Sequence, residues 1–336
     1  MIQPTKFPGH LLRYRTKYIQ TYILVLLTLT SFGFSDSLRA QTPSDAIMMP
    51  SKNICILMAY DMGDFDRYWE GASLRSNQTI ATVDRNTVLP MAAIGIIDDL
   101  NFFIGVPYIN TESSEPNGGK FTGAHGFQDI GLALKYRAIQ KSVGSGELSA
   151  LASAGFSTPL TNYLSDYMPY SIGAGCPEFS LRAISQYQLS NGFYIRGSLA
   201  HLWRGYTEAE RDYYYNNGSY YTAWMDVPNA WTYDGILGKW LFDYALKLEF
   251  AYTGLASTSG DDIRAYNAAQ PTNKVKFDRV GFSAQYYLKS VKGLGFVAYH
   301  NRIVNGRNVA KLANTGFGLT YQFNVIKNQI EEANAQ

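Results

Sequence analysis

The sequence predicts an all-β fold, a transmembrane antiparallel β-barrel of about twelve strands. Three observations predict it. Segments of roughly ten residues alternate between apolar and polar side chains. The connections between them are short and long by turns. Beyond Ala40 no apolar run is long enough to cross a bilayer as a helix. The 336 residues are 46% hydrophobic and 15% aromatic, with 2 Cys and a net charge of +2, which excludes a disordered chain and a disulfide scaffold alike.

The chain begins with a basic stretch, His10 to Lys17, followed by an apolar one, Ile23 to Phe34, and by Leu38-Arg39-Ala40. That order is the pattern of an export signal cleaved after Ala40, since the apolar part is too short for a spanning helix. Of the 29 basic and 27 acidic residues, Lys6, Arg13, Arg15, Lys17, Arg39 and Asp36 fall in this leader, so the remainder is close to neutral. Nucleic acid is therefore not an expected partner, because binding it requires clustered cationic surface.

The alternation is purest from Asp243 to Tyr252. There Tyr244, Leu246, Leu248, Phe250 and Tyr252 oppose Asp243, Ala245, Lys247, Glu249 and Ala251. From Ile130 to Tyr136, Ile130, Leu132, Leu134 and Tyr136 oppose Asp129, Gly131, Ala133, Lys135 and Arg137, and at the end Phe317, Leu319, Tyr321 and Phe323 oppose Gly316, Gly318, Thr320 and Gln322. In chain order the other strands are Ile54 to Tyr60, Val88 to Ile96, Leu100 to Tyr108, Leu148 to Phe156, Phe179 to Leu189, Phe193 to Trp203, Ala230 to Gly238, Val280 to Leu288 and Leu294 to His300. Tight turns lie at residues 97–99, 140–146, 190–191, 239–242 and 289–293, and longer stretches at 61–78, 110–126, 157–177, 205–229, 255–274 and 303–310. Short periplasmic turns, long outer loops and an even strand count suit a bacterial outer-membrane barrel with both ends in the periplasm. A soluble β-sandwich also alternates, but its polar face carries dense charge. Here that face is rich in Gly, Ala, Ser and Gln, and aromatics such as Tyr108, Trp203, Tyr252, Tyr286, Tyr299, Tyr321 and Phe323 gather at strand ends as in interfacial girdles.

The expected organisation is a signal over 1–40, a short periplasmic segment over 41–50, the barrel over 51–324 and a periplasmic tail over 325–336. If the apolar faces meet lipid, the lumen contains Asp129, Lys135, Arg137, Glu147, Arg182, Arg196, Arg204, Asp243, Lys247, Glu249 and Arg279. Both signs occur, which suits either a fixed salt-bridge network in a narrow barrel or a conduit whose Lys and Arg attract anions. About eight strands are filled by side chains and 16 to 18 leave an open channel, so about twelve predict a constricted lumen. In the loops, Trp69, Tyr206, Trp224 and Trp231 could form an aromatic capture surface, although rings also gather at membrane interfaces without any ligand.

Several stretches resemble a known family: Tyr68-Trp69-Glu70-Gly71, Gly126 to Arg137 (GFQDIGLALKYR) and Asn305-Gly306-Arg307-Asn308-Val309 ahead of the closing strand. They are similar to the outer-membrane transporters named for the meta-pathway of phenol degradation, distant relatives of the long-chain fatty-acid transporter barrels. The resemblance implies passive passage of small hydrophobic or aromatic molecules. Unlike fatty-acid transporters, which carry a long N-terminal plug, this chain has only Gln41 to Pro50 ahead of its first strand, enough at most to narrow the periplasmic mouth.

No enzyme is expected. His125, His201 and His300 have no Gly-x-Ser-x-Gly elbow to serve, and Ser198 falls on the face opposite His201, so a lipid hydrolase is the weakest alternative. Asp61, Asp64, Asp66, Asp261 and Asp262 lack the spacing of a calcium loop, and neither Cys has a zinc-site companion, so neither metal nor cofactor is expected. The expected partners are outer-membrane lipid, a small solute and the barrel-assembly machinery. The competing expectation is a sealed barrel whose outer loops bind a partner or a surface glycan.

Overall fold

The computed structural model describes residues 41–264 and 268–325. The expected signal over 1–40 and nearly all of the C-terminal tail lie outside these residues. The described chain forms a closed antiparallel barrel of twelve strands. In order they are β1 (Asn53–Phe65), β2 (Val83–Ile97), β3 (Leu100–Gly105, resuming as Tyr108–Asn117), β4 (Phe121–Phe127, resuming as Asp129–Val143), β5 (Gly146–Pro159) and β6 (Glu178–Leu189). The circuit continues through β7 (Phe193–Arg204), β8 (Ala230–Leu241), β9 (Leu246–Ser257), β10 (Lys276–Tyr287), β11 (Leu294–Arg307) and β12 (Ala313–Asn324). Each strand pairs with its neighbour in sequence, and β1 closes the ring by pairing both with β2, Ile54 opposite Ile94, and with β12, Ile54 opposite Phe323. Closure leaves no long edge with unpaired amides, the condition for a sheet to stand in hydrocarbon.

The period of two sorts each strand into an outer and an inner face. On β9, Phe250 is 52% exposed while Lys247 is 7% exposed. Ile56, Met58, Leu134, Leu199, Phe282, Phe317 and Leu319 share the outer face, whereas Asn101, Lys135, Ser153, Arg196, Gln285, Thr320 and Gln322 are buried inside. The interior is hydrophilic and the exterior greasy, the reverse of a soluble barrel. Towards the long-loop end the outer face carries rings: Phe179 and Trp203 are 5.6 Å apart, and His201 lies 4.4 Å from Trp203 and 4.6 Å from Trp231. Among the described residues no helix is long and apolar enough to cross a membrane.

Three local features depart from the sequence expectation. The alternation read from Asp243 begins only at Leu246, because Phe242, Asp243 and Tyr244 form a turn with φ of 54°, 55° and 65°. Asp243 is therefore no lumen residue; its side chain is 94% exposed, beside Lys289 at the rim. Second, most of the expected loop over 110–126 is strand, because β3 and β4 continue past the barrel as a hairpin with Thr111 opposite Ala124. The ladder breaks at Pro107, which has no amide hydrogen to donate, and Gln128 N–H bonds across the gap to the Pro107 carbonyl. Third, Asp61 lies inside β1, not in a loop, and its carboxylate accepts from Asn314.

Candidate functional site

The lumen is occupied at three levels. At the end with tight turns, residues 41–49 fold back inside the barrel. Met49 seats on Cys55, Ala93, Phe103 and Ala133, and Ile47 packs across the lumen on Tyr194, Ile236, Trp240 and Tyr287. The backbone is pinned where it enters: Met49 N–H donates to Asn101 Oδ1 at 2.8 Å, and Asn101 Nδ2 returns a bond to the Met49 carbonyl at 2.9 Å. Gly95 permits the passage, since a Cβ there would stand 2.0 Å from the Pro50 carbonyl oxygen.

The latch of this segment is Lys135. Its side chain is 0% exposed, and its ammonium donates to the carbonyls of Thr42 at 2.8 Å, Asp45 at 3.2 Å and Ile47 at 2.8 Å. The charge is met by Asp45 Oδ1 at 2.8 Å, with the Phe103 ring 5.0 Å away. A buried ammonium needs such a set, because leaving it unpaired costs far more than the pair itself contributes. Asp45 is shaped for the role by local bonds from Thr42 N–H at 2.6 Å and Ile47 N–H at 2.9 Å.

Beside the latch lies a second group. Glu249 accepts from Arg196 at 3.0 Å, Tyr194 at 2.6 Å and Ser283 at 3.3 Å, and Lys247 stands 3.5 Å from it. Higher in the lumen, Arg182 donates to Ser198 at 2.6 Å and to Thr232 and Asp234 at 3.1 Å each. Arg279 donates to Thr253 at 3.0 Å. Bounded by Pro43 and Ser44 of the inserted segment, a cavity of about 420 Å³ reaches Arg182, Glu178 and Asp129.

At the long-loop end the lumen is covered by residues 160–177, which dip into the mouth. Tyr163 donates to Asp129 at 2.6 Å and accepts from Gly175 N–H at 3.0 Å. Arg85, on the inner face of β2, binds the carbonyls of Ser171 at 3.3 Å and Ile172 at 2.9 Å. Tyr170 is buried against Phe65, Ile80 and Val83 and bonds Ser113 at 2.8 Å. Burial, then the bond to Asp129, pushes the Tyr163 phenol well above its ordinary value, and burial pushes the neighbouring Cys176 thiol up to about 11. Neither group ionises near neutral pH, so Tyr163 keeps its proton for the bond to Asp129, while the Arg85 guanidinium and the Arg211–Asp166 ion pair add charged contacts to the cover. The remaining loops enclose a vestibule of about 860 Å³, where Phe65, Ile80, Val83, Ile303 and Leu312 meet Arg85 and Gln270.

Asn308 ties the vestibule rim together. Held at φ 50°, it accepts from Gly71 N–H at 2.8 Å and donates to Asp262 at 2.8 Å and to the Lys274 carbonyl at 2.8 Å. Arg307 bonds the same Asp262 at 2.8 Å. Burial works against ionisation of Asp262, but the bonds from Arg307 and Asn308 outweigh it and hold the carboxyl below its usual range.

Of the residues expected in the lumen, Asp129, Lys135, Arg182, Arg196, Lys247, Glu249 and Arg279 point inward. Arg204 also does, at the loop end, paired with Glu178 at 2.7 Å. Arg137 is held by Asp99 at 2.6 Å at the turn end, and Glu147 sits exposed beside Gln140 at the same end. The loop aromatics separate. Tyr206 and Trp224 are exposed on a two-stranded ladder, but Trp231 belongs to the outer face of β8. Trp69 is no capture residue: it is buried under Val309 and Gly306, its amide bonded to the Val309 carbonyl at 2.8 Å. His201 and Ser198 lie on opposite sides of the wall, and His300 bonds Thr315 at 2.9 Å on the outer face, so the residues considered for a hydrolase do not meet. Sequence reasoning missed Asp45, Asn101 and Arg85. Asn101 alone left a trace, as a polar residue among Leu100, Phe102, Phe103 and Ile104.

No family model matches the sequence, and no curated protein matches it. Solved structures do. The translocator domain of the autotransporter NalP from Neisseria meningitidis has a TM-score of 0.44 at 12% identity, over 93% of this chain and 97% of that one. The NanC porin has a TM-score of 0.43 at 8% identity, over 79% and 98%. An outer-membrane channel of Pseudomonas putida F1 reaches a TM-score of 0.65 at 11% identity, over 87% of this chain and 100% of that one. The fold of this chain is the fold of that channel.

Proposed function

We propose that the protein is a porin-like channel of the outer membrane, crossed passively by small solutes. In this reading the tight turns face the periplasm, and the state described is plugged by residues 41–49. The observation that carries it is the inverted wall: a closed barrel with Phe250, Phe282 and Phe317 outside and Lys135, Arg196 and Glu249 inside. The finer reading, a small molecule with a hydrophobic or aromatic body, rests on the family resemblance and on the apolar lining of the vestibule, where Phe65, Ile80 and Leu312 surround polar donors. The resting lumen is narrow, because the inserted segment spans it from Phe103 to Trp240.

The test is conductance in planar bilayers and solute influx into liposomes, comparing the full chain with one lacking residues 41–49. Low or intermittent conductance from the first and sustained conductance from the second are expected. A correctly folded, heat-modifiable barrel that stays silent without the segment overturns the channel reading. It would favour a sealed barrel working through its outer loops, where Tyr206 and Trp224 are exposed.

A further inference from the structure

The inserted segment presents two chemical groups to the wall. The Asp45 carboxylate lies on Lys135 at 2.8 Å, and two residues later Ile47 rests in the pocket of Tyr194, Ile236, Trp240 and Tyr287. The electrostatics around that carboxylate are lopsided. Lys135 is close enough to Arg196 and Lys247 to feel both charges, and Arg196 in turn feels Asp45 as well as Glu249. Asp234 also acts on Arg196 but is bonded to Arg182, so three carboxylates serve the four cations Lys135, Arg182, Arg196 and Lys247. When the segment leaves, Asp45 goes with it. Glu249 remains against Arg196 and Lys247, and Lys135 loses Asp45, its anionic partner among the described residues, together with three carbonyl acceptors. The ammonium is then uncovered in a confined lumen with a net positive surround, and it attracts an anion.

We infer that the unplugged lumen binds and passes small monocarboxylates with an apolar body, and that the segment closes the channel by imitating one. Asp45 stands where the solute's carboxylate sits on Lys135, and Ile47 where its apolar body meets Trp240 and Tyr287. This rests on the channel reading above and specifies its substrate class. An inorganic anion satisfies the charge alone, whereas a neutral apolar molecule satisfies the ring pocket alone. A carboxylate on a short aliphatic or aromatic group satisfies both. Lys247 stands 5.9 Å above the Trp240 ring and joins the two halves of the site.

The experiment uses the chain without residues 41–49 in planar bilayers, under a salt gradient and with phenylacetate, its uncharged analogue phenylacetamide or acetate added. The expected result is an anion-selective reversal potential, and current block by phenylacetate at a concentration at least about tenfold below that of phenylacetamide, the scale of one hydrogen bond to a charged group. Lys135→Gln should remove most of that preference, and Lys247→Gln should weaken it, so a folding failure of one variant leaves the other informative. Block by acetate at the same concentration as phenylacetate overturns the apolar half of the proposal. A conducting pore that is cation-selective, or that treats phenylacetate and phenylacetamide alike, overturns the proposal and leaves the channel reading standing. Only a folded barrel without conductance counts against the channel itself.

Discussion

Replacing Lys135 by Met removes the buried ammonium and leaves Asp45 as an unpaired carboxylate inside the inserted segment. Breaking a buried pair by deleting one partner costs about 3–5 kcal/mol. That penalty falls on the plugged state alone, because the released segment is free to hydrate Asp45. At about 1.4 kcal/mol per factor of ten, the ratio of unplugged to plugged molecules should rise by about 10²- to 10³-fold. Cys55 offers a direct readout, since Met49 covers it and leaves it 4% exposed. In a Cys176→Ser background, the rate at which a charged, membrane-impermeant thiol reagent modifies Cys55 reports the unplugged fraction. Lys135→Met should accelerate modification by the factor above. Asp45→Leu combined with Lys135→Met should be slower than Lys135→Met alone, because an apolar pair replacing a buried ion pair is close to neutral. Equal rates for Lys135→Met and the parent, or a double variant as fast as the two single effects multiplied, would refute the latch.

Gly95→Ala places a methyl against the Pro50 carbonyl and should raise basal conductance while the barrel's heat-modifiable migration is retained; unchanged conductance would show that the segment has another path. Tyr163→Phe removes the bond to Asp129 and should weaken the cover over 160–177 by about 1–3 kcal/mol, read as faster proteolytic nicking within that stretch. Asn308→Ala should release the loop stretches around Gly71 and Asp262 together, seen as added cleavage sites in both at a protease dose the parent resists. The Arg307–Asp262 clamp has a defined pH window. A carboxyl held below its usual range contributes stability above the unfolded value of about 4, and that contribution is lost as pH falls through the folded value. The vestibule rim should therefore resist proteolysis at pH 5 to 7 and loosen below about pH 4, and Asp262→Asn should abolish that dependence.

The wall of the barrel was legible because a strand in lipid repeats one instruction at every second residue. Lys247 and Glu249 against Leu248 and Phe250 is enough to say which side faces which medium. The same rule misled at Asp243, where a turn of left-handed, non-glycine residues happens to continue the alternation. The charged residues of the lumen were legible from the same rule, but the segment that enters it was not. Gln41 to Pro50 have no period, and nothing in Thr42-Pro43-Ser44-Asp45 announces that its carbonyls will surround a lysine ninety residues away. Trp69 shows the same limit: an aromatic ring in a loop reads as exposed until a neighbouring loop, here Gly306 to Val309, is known to lie over it.

Only Ala46 to Lys52 separate the anchoring carboxylate from the first strand, so the stopper travels on a leash. Its local concentration at its own socket is fixed by geometry, on the order of millimolar for a short flexible tether, whatever the abundance of the protein. A diffusing competitor must reach that range, or grip more tightly than the resident aspartate does, before the pore stays open. In the channel proposed above, such a closure would favour opening when solute is plentiful and restore the barrier without any partner when it is scarce.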